Sequence, residues 1–161
     1  MSCRDTMITD VAKATPSQTV QDIMDVFETR RFNSVPVVDD ENRVIGMFSM
    51  HALFQNLLPN SVKILGGVDN LEFLSESEAG VAKKMRTLCA IPIKDVMEIN
   101  PPMVSPDTTA WEAVRLMSQH GSPIMVVDKD KKLLGMITTQ SLVNRMQKVL
   151  KKVENIEAKS A

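Results

Sequence analysis

Aromatic residues make up only 4% of this 161-residue chain, with one tryptophan and no tyrosine. That scarcity removes the stacking platforms used to hold single-stranded nucleic acid. A net charge of −1 removes the basic field that duplexes and anionic membranes need. Cysteine and histidine are also scarce: Cys3, Cys89, His51 and His120 are the whole set. Two isolated thiols without C-x-x-C spacing support neither a disulfide framework nor a zinc site, and two distant histidines add nothing to a metal set. No apolar run nears the roughly 18 residues that cross a bilayer. The opening "MSCRDTMITD" has no apolar core of a signal peptide. The expected location is therefore the cytoplasm, with no membrane insertion and no nucleic-acid partner. A nucleophile with its base, clustered carboxylates and a P-loop are missing as well, so an enzyme is not expected.

What is present is a repeat. "NSVPVVDDENRVIGMFSMHALF" begins at Asn33, and "SPIMVVDKDKKLLGMITTQSLV" begins at Ser122. Asp39, Gly46, Met47 and Ser49 recur 89 positions on as Asp128, Gly135, Met136 and Thr138. Upstream, "DTM" at Asp5 matches "DVM" at Asp95, and "TPSQTVQDIMDVF" at Thr15 matches "SPDTTAWEAVRLM" at Ser105, both at an offset of 90. One residue is lost in a turn, where length changes cost little. A tandem supersecondary unit is the first inference.

Each copy reads in the same way. Val20, Ile23, Met24 and Phe27, then Ala110, Ala113, Val114 and Met117, lie at helical spacing. Thr19 with Asp22 and Thr109 with Glu112 predict a capping box at each helix start. Apolar strands at 35–38 and 124–127 precede polar turns, then return strands at 44–49 and 133–138. A second helix follows each hairpin. One runs from about His51 to Leu58 and stops at Pro59. The other starts near Thr139 and reaches Ile156. Extended pieces before Pro16 and Pro106 complete a β-α-β-β-α order. The expected fold class is α/β: two such units with approximate internal twofold symmetry, because a unit of about 60 residues is marginal alone. The expected division is 1–58, a partly helical connector 59–90 broken at Gly66 and Gly67, 91–152, and a tail 153–161. Val81, Met85 and Leu88 predict the connector helix.

The two copies, with "VPVVDDENRVIGMFS", "MVVDKDKKLLGMIT" and the D-x-M leads at Asp5 and Asp95, resemble the cystathionine β-synthase (CBS) domain. That domain occurs in tandem pairs called Bateman modules. The resemblance covers about 60 residues at each end of the chain. It implies a regulatory module, not a catalyst, that binds AMP, ADP, ATP, S-adenosylmethionine or a related nucleotide in the clefts between units, with no required cofactor. It also implies a dimer and an unknown regulated protein. The alternative within the same fold is a dimerisation or scaffold module that binds no ligand.

In that family the return strand ends in Ser or Thr, and an Asp three residues on grips the ribose hydroxyls. Here Ser49 and Thr138 hold the hydroxyl positions, but Ala52 and Ser141 stand where Asp would be. Losing a charged acceptor for a buried diol costs about 1.5–3 kcal/mol, so the Thr138 side, with Ser141, is the expected site. Ser49 and Thr138 are equally well helix caps. Further ligand-binding candidates are Ile99, Pro101, Ser122, Pro123, Ile124, Ser34, Val35 and His120. Lys13, Arg30, Arg31, His51 and His120 are candidate phosphate cations. Met24, Met117 and Met146 read as core, and Trp111 as a dimer contact, lid or surface aromatic. Apolar faces carrying Leu53, Phe54, Leu57 and Leu58, and Leu142, Val143 and Met146, predict at least a dimer.

Overall fold

The computed structural model describes residues 1–30, 32–58 and 77–160. The helix stop at Pro59, the break at Gly66–Gly67 and the cation Arg31 lie outside the described residues. In order come α1 (Val20–Arg30), β1 (Ser34–Val38), β2 (Val44–Ser49), α2 (Met50–Leu57), α3 (Glu78–Cys89), a 3₁₀ turn (Ile93–Asp95), β3 (Met103–Val104), α4 (Ala110–His120), β4 (Ile124–Val127), β5 (Leu133–Ile137) and α5 (Thr139–Ser160). This is the expected α/β class, with each expected helix and hairpin present.

The two capping boxes differ. At α1, Thr19 N donates to Asp22 Oδ2 at 2.9 Å and Asp22 N donates to Thr19 Oγ1 at 3.3 Å. At α4 the expected box does not form: Thr109 makes no side-chain cap bond. Glu112 instead takes the Arg115 guanidinium at 2.6 and 2.9 Å, a bidentate charge-assisted pair that holds its carboxyl below the usual range. Asp25 occupies the equivalent place in the first copy, so Asp22 has no such rival.

Two compact units form. Unit I holds Met1–Val11, Glu41–Val44 and Asn100–Ala161. Unit II holds Ala12–Asp40 and Ile45–Ile99. The repeats follow the chain, but the compact units do not, because each hairpin carries the lead that precedes the other repeat. In unit I the sheet order is β3-β4-β5, with β3 parallel and β5 antiparallel to β4. Ile8, from the first lead, joins the outer edge of β5: Ile8 N donates to Met136 O at 2.8 Å and Met136 N to Ile8 O at 2.9 Å. In unit II, β1 pairs with β2 and Ala14 bridges to Val37. Glu98, from the second lead, exchanges the same two bonds with Met47, at 2.8 and 3.0 Å. The leads also satisfy helix starts. Met1 O accepts from Ala110 N, and Ile91 O from Val20 N, each at 3.0 Å.

The lead Asp5 closes its own turn, accepting from Ser2 N and Ser2 Oγ. Those bonds hold its carboxyl below the usual range, so its contribution is lost as pH falls through that lowered value. Cys3 is a core residue of unit I, beside Ala110, Ala113, Ile124, Val126, Ile137 and Leu142. Ile23, Phe27, Val35, Phe48 and Leu53 form the core of unit II, joined by Leu88 of α3. Met24, Met117 and Met146 pack against these cores, as expected. Leu53 and Leu142 are buried and offer no open face, whereas Phe54, Leu58, Val143 and Trp111 are exposed.

The crossing leads explain the repeated glycine. A Cβ on Gly46 would stand 2.8 Å from Glu98 O, and one on Gly135 would strike Ile8 O. Backbone cannot retreat from such a contact without breaking the reciprocal bonds. Gly46→Ala and Gly135→Ala are therefore expected each to cost about 1–3 kcal/mol by overpacking. Urea midpoints unchanged from wild type in both variants would contradict the lead contacts.

Candidate functional site

The sequence candidates divide between the units. In unit I, Ile124 opens β4 opposite Ile137, the last residue of β5, so the entry to β4 and the exit to α5 lie together. There Thr138 and Ser141 cap each other. Thr138 Oγ1 accepts from Ser141 N, and Ser141 Oγ from Thr138 N, each at 3.0 Å. The Ser141 hydroxyl in turn donates to Thr138 O at 3.1 Å. Thr139 N donates to Ser122 Oγ at 3.1 Å, drawing the residue before Pro123 to the same helix start. Met125 N donates to Pro102 O at 3.3 Å, which brings Pro101–Pro102 to this end of the sheet. Thr138, Ser141, Ser122, Pro123, Ile124 and Pro101 are thus gathered. His120 ends α4 nearby in sequence and is exposed.

Hydroxyl bookkeeping shows what is left over. Thr138 Oγ1 and Ser122 Oγ each accept one amide, and each keeps its own proton to donate. Ser141 spends its proton inside the cap and retains only a lone pair. Three hydroxyls at one helix start still offer two donors and some acceptor capacity.

Unit II is poorer. Ser49 Oγ accepts from Ala52 N at 3.2 Å, and the partner position is a buried methyl, Ala52. Ser34 and Val35 are buried, at 5% and 1% exposure. Ile99 belongs to this unit, not to that of Thr138, and is 70% exposed. Val35 and Ile124 have their side chains inside the two cores, so only their backbone is available to a ligand. Of the candidate cations, His120 sits in unit I, and Lys13, Arg30 and His51 in unit II.

A depression of about 480 Å³ in unit I is lined by Val104, Ser105, Asp107, Val127, Asp128 and Lys129. It lies at the far end of β4 from Thr138. Among the described residues no three of His, Cys, Asp and Glu are placed to hold a metal ion. None of the described helices is long and apolar enough to cross a membrane. The Ser122–Thr139 link was not read from sequence. A serine before the Pro123 that leads into β4 was its only signal.

The family model for the CBS domain matches residues 3–59 and 93–148. The chain belongs to the CBS-domain family. Its two family segments are the two repeats, including both leads. The chain is 24% identical over 147 residues to the chloroplastic CBS domain-containing protein CBSX2 of Arabidopsis thaliana. The match takes in 87% of this chain and only 60% of that protein's length. The crystal structure of CBSX2 superposes with a TM-score of 0.73 at 21% identity, over 93% of this chain and 96% of that one. CBSX2 in complex with AMP gives a TM-score of 0.69 at 22% identity, over 92% and 97% of the two chains. The CBS domain pair of protein MJ0100, in complex with 5′-methylthioadenosine and S-adenosyl-L-methionine, gives 0.64 at 14% identity, over 91% and 96%.

Removing either cap oxygen is measurable without a ligand. Thr138→Ala and Ser49→Ala are each expected to lower stability by about 1 kcal/mol, the usual worth of an N-cap. A thermal melt of either variant that matches wild type would show that the cap bond carries no stability.

Proposed function

We propose that this chain is a regulatory, non-catalytic CBS pair that senses an adenosine-containing nucleotide and reports it to a protein it regulates. The observation that carries the reading is the gathering of the Thr138, Ser141 and Ser122 hydroxyls at one helix start of a CBS unit. Relatives of the same fold in complex with AMP, or with S-adenosylmethionine and 5′-methylthioadenosine, support the ligand class. ADP and ATP share the same ribose and adenine. Unit I is the side we assign, because Ala52 leaves Ser49 without a companion in unit II.

The chemistry sets the affinity. A vicinal diol is held best by a carboxylate, which accepts both protons. Neither unit has an acid there. The Thr138 and Ser122 hydroxyls donate to ribose oxygens in neutral bonds, so binding falls by roughly 10- to 100-fold relative to a site with the acid. Micromolar to millimolar dissociation constants follow. Ser141→Asp restores the acceptor at low structural cost, because an acid at this helix position still accepts from Thr138 N, as in a capping box.

One observation favours a second reading, a scaffold without a ligand: the Ser141 hydroxyl is used twice inside its own cap. Calorimetric titration with AMP and ATP separates the two. Wild type is expected to bind weakly, Thr138→Ala more weakly, and Ser141→Asp about tenfold more tightly. No binding by any of the three would establish the scaffold reading, and one common affinity would show that the nucleotide binds away from Thr138 and Ser141.

Self-association belongs to either reading. Exposed Phe54 and Leu58 in unit II and Val143 in unit I support at least a homodimer. Light scattering at tens of micromolar is expected to return at least twice the chain mass, and a monomer mass would refute it.

A further inference from the structure

Helix α5 outruns the body of unit I. Leu142 is buried and Arg145 and Met146 are half-buried, but every residue from Gln147 to Ser160 is exposed. Along that free length Val149, Leu150, Val153 and Ile156 remain 40%, 57%, 45% and 55% exposed. A free helical stretch of this length is marginal in water, and most helical stability comes from burying an apolar face. The apolar residues are regularly spaced. Leu142, Met146, Val149, Val153 and Ile156 are separated by four, three, four and three positions. These are the d and a places of a heptad, the pattern of a supercoiled seam. The seam begins on residues packed in unit I and continues onto the uncovered part.

The charges beside the seam say what covers it. Arg145, Lys152 and Lys159 occupy the g places, and Val143, Leu150 and Glu157 the e places. Lys152 has no acid three or four residues away on its own helix, and Glu157 has no cation there. In a parallel pair of identical helices, each g residue faces the e residue five positions on in the other helix. Lys152 then meets Glu157 of the second copy, and the pair occurs twice by symmetry. An antiparallel pair would set g against g, cation against cation. An anionic membrane would suit Arg145, Lys148, Lys152 and Lys159 on one flank of the apolar stripe but would meet Glu154 and Glu157 on the other, where the parallel pair gives Glu157 a cation.

We propose that the C-terminal part of α5 pairs with the same helix of a second copy as a parallel two-stranded coiled coil. Its seam is Met146, Val149, Val153 and Ile156, with Lys152 pairing to Glu157 across it. The proposal deepens the homodimer reading, rests on it, and is independent of any nucleotide.

Cysteine cross-linking in the full chain tests it. Cys89→Ser removes the half-buried thiol, while Cys3, fully buried with a thiol pushed up by burial, stays. In that background Val149→Cys and Ile156→Cys are expected to give disulfide dimers on mild oxidation, because a d residue faces itself only in the parallel arrangement. Lys151→Cys, on the outer face, is expected to give few. Lys152→Glu is expected to loosen the dimer about two- to fivefold, and the double variant Lys152→Glu/Glu157→Lys to restore it. Equal cross-linking at all three positions, or none, overturns the coiled coil. A dimer by light scattering without these cross-links does the same while leaving self-association intact. A monomer whose α5 binds phosphatidylserine vesicles assigns the stripe to a membrane and also overturns it.

Discussion

Two reciprocal backbone pairs, Ile8 with Met136 and Glu98 with Met47, organise both units. Each ties a lead to the hairpin of the other repeat, and each is made where a glycine leaves no side chain in the way. Once that contact is in place, the carbonyl of Met1 or Ile91 reaches the first amide of α4 or α1. The lead thus adds a strand-like edge and completes a helix start in one stroke. A hairpin with one helix on it has too little core to stand alone. The borrowed lead supplies part of what is missing, down to the thiol of Cys3 within the core of unit I.

The candidate site lies at one end of the unit I sheet. The strands of unit I converge where β4 begins and β5 ends, and the free amides of α5 must find acceptors there. Ser122, Thr138 and Ser141 meet that need with hydroxyls, and hydroxyls keep bonding capacity after capping. The capping bonds and the proposed ligand contacts therefore fall on the same atoms. The same economy explains the difference between the units. Ala52 removes one hydroxyl from unit II, whose cap then has only Ser49 to offer.

Much of this is legible in the sequence. The helical and alternating spacings, the offsets of 89 and 90 and the D-x-M leads carried the element order and the family. The capping box at Thr19 was legible because both of its groups are local. The box at Thr109 failed because Arg115 lies one turn away and offers Glu112 a charged partner, a competition that a two-residue motif does not register. Ile99 and Pro101 are near neighbours in sequence, yet they fall in different units because the chain passes from one to the other between them.

What the sequence by itself determined is local and periodic: which stretches are helix or strand, that they occur twice, and which hydroxyls stand at the helix starts. Spacing along a chain carries that information because it depends on residues a few positions apart. Only the tertiary structure decided which lead closes which hairpin. The two leads share the D-x-M pattern, and both hairpins carry the receiving glycine. Their pairing is settled by long-range contacts between residues about 50 to 130 positions apart, which no short-range pattern encodes. The burial of Leu53 and Leu142, and the exposure of α5 beyond Met146, were settled in the same way, by what packs against each face.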